Sequence, residues 1–96
     1  MLHIAALQGR EAVVKLLLDR GANNNAQDQF GRTALYRAAA NGHEEVVKLL
    51  LEKGANTEAK NGNETALYVA TLYGYTAVVE LLQEMGANTE AENLER

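Results

Sequence analysis

The sequence predicts an all-α fold, a solenoid of stacked helix-turn-helix pairs joined by hairpin-like loops. First, the stretch Gly42–Asn56 recurs in close likeness as Gly9–Asn23 and Gly74–Asn88. Second, an offset of 33 aligns residues 2–29 with residues 35–62 at 15 of 28 identical positions. Third, each copy carries apolar residues at helical spacing. A period of this length indicates an array in which each unit buries its apolar face against its neighbours.

The central unit contains signals for the start and the end of each of its two helices. Thr33 is placed to cap a short helix over 34–40, and Asn41-Gly42 then turns the chain. A second helix over 44–52 begins with two glutamates, which the positive end of the helix dipole favours. Gly54 supplies a left-handed residue that ends this helix.

The flanking units repeat this plan, and an offset of 32 matches 33–61 to 65–93 at 18 of 29 positions. We expect Gly21 and Gly86 to end their helices as Gly54 does. Helices this short need tertiary burial to persist, so stacking should join the units into a single domain over 1–96. The units are approximately 1–29, 30–61 and 62–96.

Two loops connect the units, and the second, 59–64, is one residue shorter than the first, 26–32. Its glycine follows Asn61 directly, and Asn-Gly is typical of a tight turn with positive backbone angles. The two hairpin tips should therefore differ.

The period and the residue types of this sequence together resemble those of ankyrin repeats, and the resemblance covers essentially the whole chain. The matching marks are Thr33-Ala34-Leu35-Tyr36, Ala38-Ala39, Gly42-His43, Val46-Val47, Leu49-Leu50-Leu51 and Gly54-Ala55-Asn56. The chain departs from the family at Ala34 and Tyr36, where the family has proline and histidine. The family's hydrogen bonding between threonine and histidine is therefore in doubt here, and only His3 stands at the histidine position.

The composition disfavours most other function classes. Cysteine and serine are absent, which removes disulfides, thiolate metal sites and the commonest nucleophiles and suits a reducing compartment such as the cytoplasm. Net charge is −4, with +1 over residues 1–48 and −5 over 49–96, which argues against nucleic acid as a partner. No apolar run is long enough for a membrane span, and no secretory signal is present. We expect no enzyme activity, no cofactor and no metal.

The resemblance implies that a protein partner binds on the concave face. In the family this face is formed by the hairpin tips and by the first helix of each repeat. Mapped onto this sequence, the candidate partner-binding residues are Gln29, Phe30, Arg32, Asn41, Lys60, Asn63, Glu64, Leu72 and Tyr73. Phe30, Leu72 and Tyr73 stand out as large apolar anchors on a polar face. The alternative is that Phe30 folds back over its own turn and that Leu72 belongs partly to the core.

Two further side chains have candidate roles that the resemblance implies. His43 follows Gly42 at the family's Gly-His turn, where histidine is a structural hydrogen-bonding group. Asn25 stands where ankyrin repeats often carry an asparagine that an asparaginyl hydroxylase modifies. The simpler interpretation of Asn25, which we favour, is hydrogen bonding within the loop.

The two ends of the array differ in polarity. In the third unit Gln83 replaces the leucines of the other units, whereas Leu2, Ile4 and Leu7 give the first unit no comparable polar change. Some of these apolar groups should be uncovered, which predicts weak self-association through the N-terminal unit. Its partner would be either the same unit of another copy or a neighbour's C-terminal face.

The sequence thus favours a non-catalytic scaffold for protein binding. The close likeness between the units favours an engineered or consensus-like array, for which no binding partner need have been selected. The alternative is a fragment of a larger natural ankyrin protein, acting as an interaction module or a structural spacer.

Overall fold

The computed structural model describes residues 1–62 and 64–87, which form three stacked helix pairs. The helices are α1 (Leu2–Gln8), α2 (Glu11–Asp19), α3 (Ala34–Ala40), α4 (Glu44–Glu52), α5 (Ala66–Leu72) and α6 (Thr76–Leu82), and α6 continues into a π-helical turn at Gln83–Ala87. The predicted bounds of both helices in the central unit are confirmed. Helices α1, α3 and α5 pack in one row and α2, α4 and α6 in a second. The stack measures 38 × 24 × 24 Å.

Local signals set the helix ends in the central unit as predicted. Thr33 Oγ1 accepts a hydrogen bond from the backbone N–H of Tyr36 at 3.1 Å, which caps α3. Gly54 has φ +88°, and the next residue, Ala55, donates its N–H to the Leu50 carbonyl at 3.0 Å. This pattern is a Schellman ending, which satisfies carbonyls at the C-terminus of α4.

The third unit does not end as expected. Helical backbone continues through Gly86 in the π-helical turn, so the prediction that this glycine ends the helix as Gly54 does is wrong. The first two units carry Leu18 and Leu51 in the turn before the glycine, and both pack against the core. Gln83 stands at this position in the third unit and is exposed, so it does not make the core contact that Leu18 and Leu51 make.

The core lies between the two helix rows and is continuous through the stack. Its largest fully buried side chains are Val14, Leu35, Val46, Val47, Leu50, Val78 and Leu82, which come from all three units. These side chains form one cluster that runs through all three units, so the stability of each unit depends on its contacts with its neighbours.

The first two turns between paired helices, at Gly9 and Gly42, also contact the next unit. The His43 ring lies over Gly9, where an added Cβ would approach Nδ1 to 2.6 Å, and His43 Nε2 donates to the Leu7 carbonyl at 2.7 Å. The Tyr75 ring lies over Gly42 in the same way. Glycine is required at these turns because φ is positive and because the neighbouring ring occupies the space of a side chain.

Candidate protein interface

Phe30 occupies the tip of the first hairpin and is exposed. Asp28 closes this loop, because its carboxylate Oδ1 accepts the backbone N–H groups of Phe30 and Arg32, each at 2.9 Å. The guanidinium of Arg32 lies 4.7 Å from the centroid of the Phe30 ring, within cation–π distance. Phe30 therefore stacks with Arg32 but keeps 57% of its surface exposed.

Asp28 connects this hairpin to the central unit. Its Oδ2 accepts a hydrogen bond from Arg37 Nη2 on α3 at 2.9 Å. Desolvation by burial raises the pKa of Asp28, but the backbone N–H of Arg32 and the Arg37 guanidinium outweigh it and lower the pKa to about 2. The loop that carries Phe30 is thus fixed by a carboxylate that stays ionised down to strongly acidic pH.

A second exposed apolar cluster lies where α5 ends. Leu72 and Tyr73 expose 59% and 58% of their surfaces, so the alternative that Leu72 belongs to the core is wrong. The Tyr73 and Tyr75 rings meet edge to face, with centroids 6.2 Å apart. This contact restricts the Tyr73 ring before any partner binds.

The second hairpin differs from the first, as predicted. Asn61 and Glu64 exchange backbone hydrogen bonds of 2.8 and 3.1 Å across a turn in which Gly62 has φ +66°. The Glu64 carboxylate accepts the Tyr36 hydroxyl at 2.6 Å. Burial, followed by this bond to Glu64, raises the pKa of Tyr36. Glu64 is half-buried, and its bond to the Tyr36 hydroxyl joins the central unit to the third.

The other predicted residues divide between exposed and structural positions. Gln29, Asn41 and Lys60 are exposed. Asn41 Nδ2 donates to the Arg37 carbonyl at 2.8 Å, so this side chain also extends the end of α3. Arg32 is half-buried because it stacks on Phe30 and lies 3.7 Å from Asp28. Asn63 lies outside the described residues.

Sequence reasoning missed a groove beside Phe30. An open groove of about 290 Å³ is lined by the apolar side chains of Met1, Ile4 and Phe30 together with Gln29 and Arg37. Some of Leu2, Ile4 and Leu7 were expected to be uncovered, and Ile4 is exposed, whereas Leu7 is half-buried and Leu2 is buried. The position of Ile4 on the same groove as Phe30 was not foreseen. The two residues are 26 positions apart in the sequence, and only the packing of α1 beside the first hairpin brings them together.

The family model for ankyrin repeats matches three copies over residues 2–93. The chain belongs to the ankyrin-repeat family. Ankyrin repeats are a protein–protein interaction module and are generally non-enzymatic.

Three curated relatives are similar over 37 residues, or 38% of this ankyrin chain. They are the E3 ubiquitin-protein ligase hecd-1 of Caenorhabditis elegans at 60% identity, ankyrin repeat and SOCS box protein 3 of Bos taurus at 51%, and a putative ankyrin repeat protein of Rickettsia bellii (strain RML369-C) at 57%. The matches span 1%, 7% and 16% of the lengths of these proteins, respectively.

The hydrogen bonding of this ankyrin chain is altered where tyrosine replaces histidine. His3 Nε2 donates to the Ala26 carbonyl at 2.8 Å, in the loop of its own unit. Tyr36, at the equivalent position, reaches forward to Glu64 instead. The backbone cap by Thr33 is kept, so the substitution changes the partner of the ring without removing the helix start.

Asn25 and His43 both have structural partners. Asn25 Oδ1 accepts the backbone N–H of Asn56 at 2.7 Å. Asn25 is therefore a hydrogen-bonding loop residue, as we favoured, but its partner lies in the second ankyrin unit and not in its own loop. Its hydroxylation stays a prediction. The bond of His43 to Leu7 confirms a structural role for that imidazole.

Within residues 1–62 and 64–87, no helix has the length and apolarity needed to cross a bilayer. Across the same part of the chain, the His, Asp and Glu side chains form no cluster of three or more that could hold a metal ion.

Proposed function

We propose that this protein is a non-catalytic scaffold that binds another protein through its concave face. That face comprises the candidate residues Gln29, Phe30, Arg32, Asn41, Lys60, Asn63, Glu64, Leu72 and Tyr73. The observation that supports it most strongly is that Phe30, Leu72 and Tyr73 each leave more than half of their surface exposed. Large exposed apolar side chains among polar residues are typical anchors of protein interfaces.

Ordered aromatic groups make this face suitable for recognition. The Phe30 ring is paired with Arg32, and the Tyr73 ring is paired with Tyr75. Restricting these rings before binding reduces the conformational entropy that a complex must lose. The hairpin under Phe30 is likewise fixed by the contacts of Asp28 with backbone N–H groups and Arg37.

Site-specific photo-cross-linking tests the location of the interface. A photoreactive phenylalanine analogue would replace Phe30 or Tyr73 in separate variants, with replacement of the exposed Lys48 on α4 as the matched control. The proposal expects the same protein to be captured from lysate at Phe30 and at Tyr73, and not at Lys48. Capture that is equal at all three positions, or only at Lys48, would contradict it.

For the origin of the chain, we propose an engineered or consensus-like array, which the likeness of the units supports. The alternative is an interaction module or spacer from a larger natural protein, and the short matches to much longer relatives are compatible with it. A partner recovered reproducibly at physiological salt through Phe30 and Tyr73 is expected of a binding scaffold of either origin. Recovery of no partner would contradict the binding proposal and would leave an engineered array without a selected partner.

A further inference from the structure

Two turns of the central part of the chain contain an asparagine followed directly by a glycine. Asn41-Gly42 lies between α3 and α4, and Asn61-Gly62 lies in the second hairpin. In such a pair the backbone nitrogen of the glycine can attack the side-chain carbonyl carbon of the asparagine, because glycine has no side chain to obstruct the approach. The ring closes only if the asparagine can rotate about its Cα–C bond. Hydrogen bonds that fix the turn should therefore slow this reaction.

In the Asn41-Gly42 pair both reacting groups are held. Asn41 Nδ2, the leaving amide nitrogen, donates to the Arg37 carbonyl at 2.8 Å. The Gly42 N–H, the attacking group, donates to the Ala39 carbonyl at 3.3 Å. The Tyr75 ring covers Gly42 so closely that an added Cβ would lie 2.8 Å from it. Rotation of Asn41 would therefore disrupt the end of α3 and its contact with the third unit.

The Asn61-Gly62 pair has fewer restraints. The backbone of Asn61 exchanges hydrogen bonds of 2.8 and 3.1 Å with Glu64. Within residues 1–62 and 64–87, the Gly62 N–H donates no hydrogen bond, and a Cβ added to Gly62 would meet nothing within 4 Å. Exposure alone would favour reaction at Asn41, which is exposed, over Asn61, which is half-buried. The hydrogen bonds favour Asn61, because its rotation requires only the local opening of a short turn.

We propose that Asn61 is a site of spontaneous deamidation in the folded protein, whereas the fold protects Asn41. The Gly62 backbone nitrogen forms a bond to Asn61 Cγ, the Cγ–Nδ2 bond breaks, and the proton of the attacking N–H leaves with Nδ2 as ammonia. Water then opens the cyclic imide at either of its carbonyl carbons, which gives aspartate or isoaspartate. The new carboxylic acid releases its proton to solvent, and no group is oxidised or reduced.

The product would add a negative charge to a contact between units. Asn61 Oδ1 lies 3.5 Å from the position of a Cβ on Gly31 in the first hairpin. Burial and the bond to Glu64 raise the pKa of the Tyr36 hydroxyl, and the neighbouring Asn61 amide partly opposes them by hydrogen bonding. A carboxylate at position 61 has no N–H to donate and would lie beside the Glu64 carboxylate. The modification does not depend on protein binding at the concave face.

Peptide mapping of protein kept in mildly alkaline buffer tests the proposal. Trypsin, which cleaves after Arg37, Lys48 and Lys60, places Asn41 and Asn61 in separate peptides. Mass spectrometry then follows amide loss at each asparagine, and enzymatic methylation of isoaspartate identifies that product. Dividing each rate in the folded protein by the rate at the same asparagine in denaturant removes differences that are due to sequence alone. This ratio should be at least about ten times larger for Asn61 than for Asn41, a difference of ~1.4 kcal/mol in the free energy of local opening.

Equal ratios, or a larger ratio at Asn41, would overturn the proposal. So would an Asn61 peptide that stays unchanged in the folded protein while it reacts in denaturant. Asn61→Gln is the matched variant, because it keeps the amide but requires a larger ring for the same attack. Isoelectric focusing of the intact folded variant should show no rapid formation of a more acidic species, and its formation at the wild-type rate would exclude Asn61 as the site. The wild-type peptide map decides the question even if this variant fails to fold.

Discussion

Substitution of Leu50 is the strongest test of how contacts between the units stabilise the fold. Its side chain is fully buried in the core, and its carbonyl accepts both the Ala55 N–H and the Asn24 side-chain amide. Leu50→Ala removes three carbon groups, which at about 0.8 kcal/mol each represent about 2.4 kcal/mol of lost burial. A residual cavity of about 50 Å³ adds about 1.2 kcal/mol at ~24 cal/mol per Å³. The expected loss in the free energy of unfolding is therefore about 3–4 kcal/mol.

That loss is large for a chain of 96 residues, whose total stability is expected to be about 5–14 kcal/mol. At about 4–8 °C per kcal/mol, the melting midpoint should fall by roughly 12–32 °C in a circular-dichroism melt. Leu16→Ala is the matched control, because Leu16 is already half exposed, and it should lose only about 1 kcal/mol. A Leu50→Ala midpoint within a few degrees of the parent, or equal to that of Leu16→Ala, would refute the packing described for this side chain.

Two other predictions concern the loops. Because the folded pKa of Asp28 is about 2, below the unfolded value of 3.8, its contribution to stability is present above pH 3.8 and lost as pH falls through 2. Asp28→Asn should therefore flatten the acid side of a plot of melting midpoint against pH, and an unchanged slope would contradict the assignment. Gly42→Ala should lose roughly 2–5 kcal/mol, from left-handed backbone strain and a Cβ 2.8 Å from the Tyr75 ring. Gly62→Ala, at φ +66° in open space, should lose only about 1–2 kcal/mol, and equal losses in denaturant unfolding would exclude the contact with Tyr75.

Much of the fold could be predicted because its signals are local and repeated. The Thr33 cap and the glycine at Gly54 lie within a few residues of the helix ends that they set, so the bounds of α3 and α4 followed directly. The same rule failed at Gly86, because an exposed glutamine at Gln83 removes the apolar contact that supports the ending in the other units. A glycine favours a helix end at its position, but the packing of the preceding turn determines whether the helix ends there.

The candidate interface was less accessible to sequence reasoning. The exposure of Phe30 and Tyr73 followed from their positions in the repeat, but their ring partners Arg32 and Tyr75 did not. The bond between Tyr36 and Glu64 joins residues 28 positions apart, and no local pattern indicates it. Such contacts depend on the curvature and spacing of stacked units, which the period of the sequence does not specify.

The central claim is that the concave face binds a protein, and a titration of the cross-linked partner tests it most directly. After purification of that partner, calorimetry would compare the wild type with Phe30→Ala, Tyr73→Ala and, as the control, Lys15→Ala on α2. The two concave-face variants should each weaken binding by about 1–3 kcal/mol, or about 5- to 150-fold, with melts close to that of the parent. Lys15→Ala should leave the dissociation constant nearly unchanged. Equal weakening by Lys15→Ala and the concave-face variants would contradict the claim.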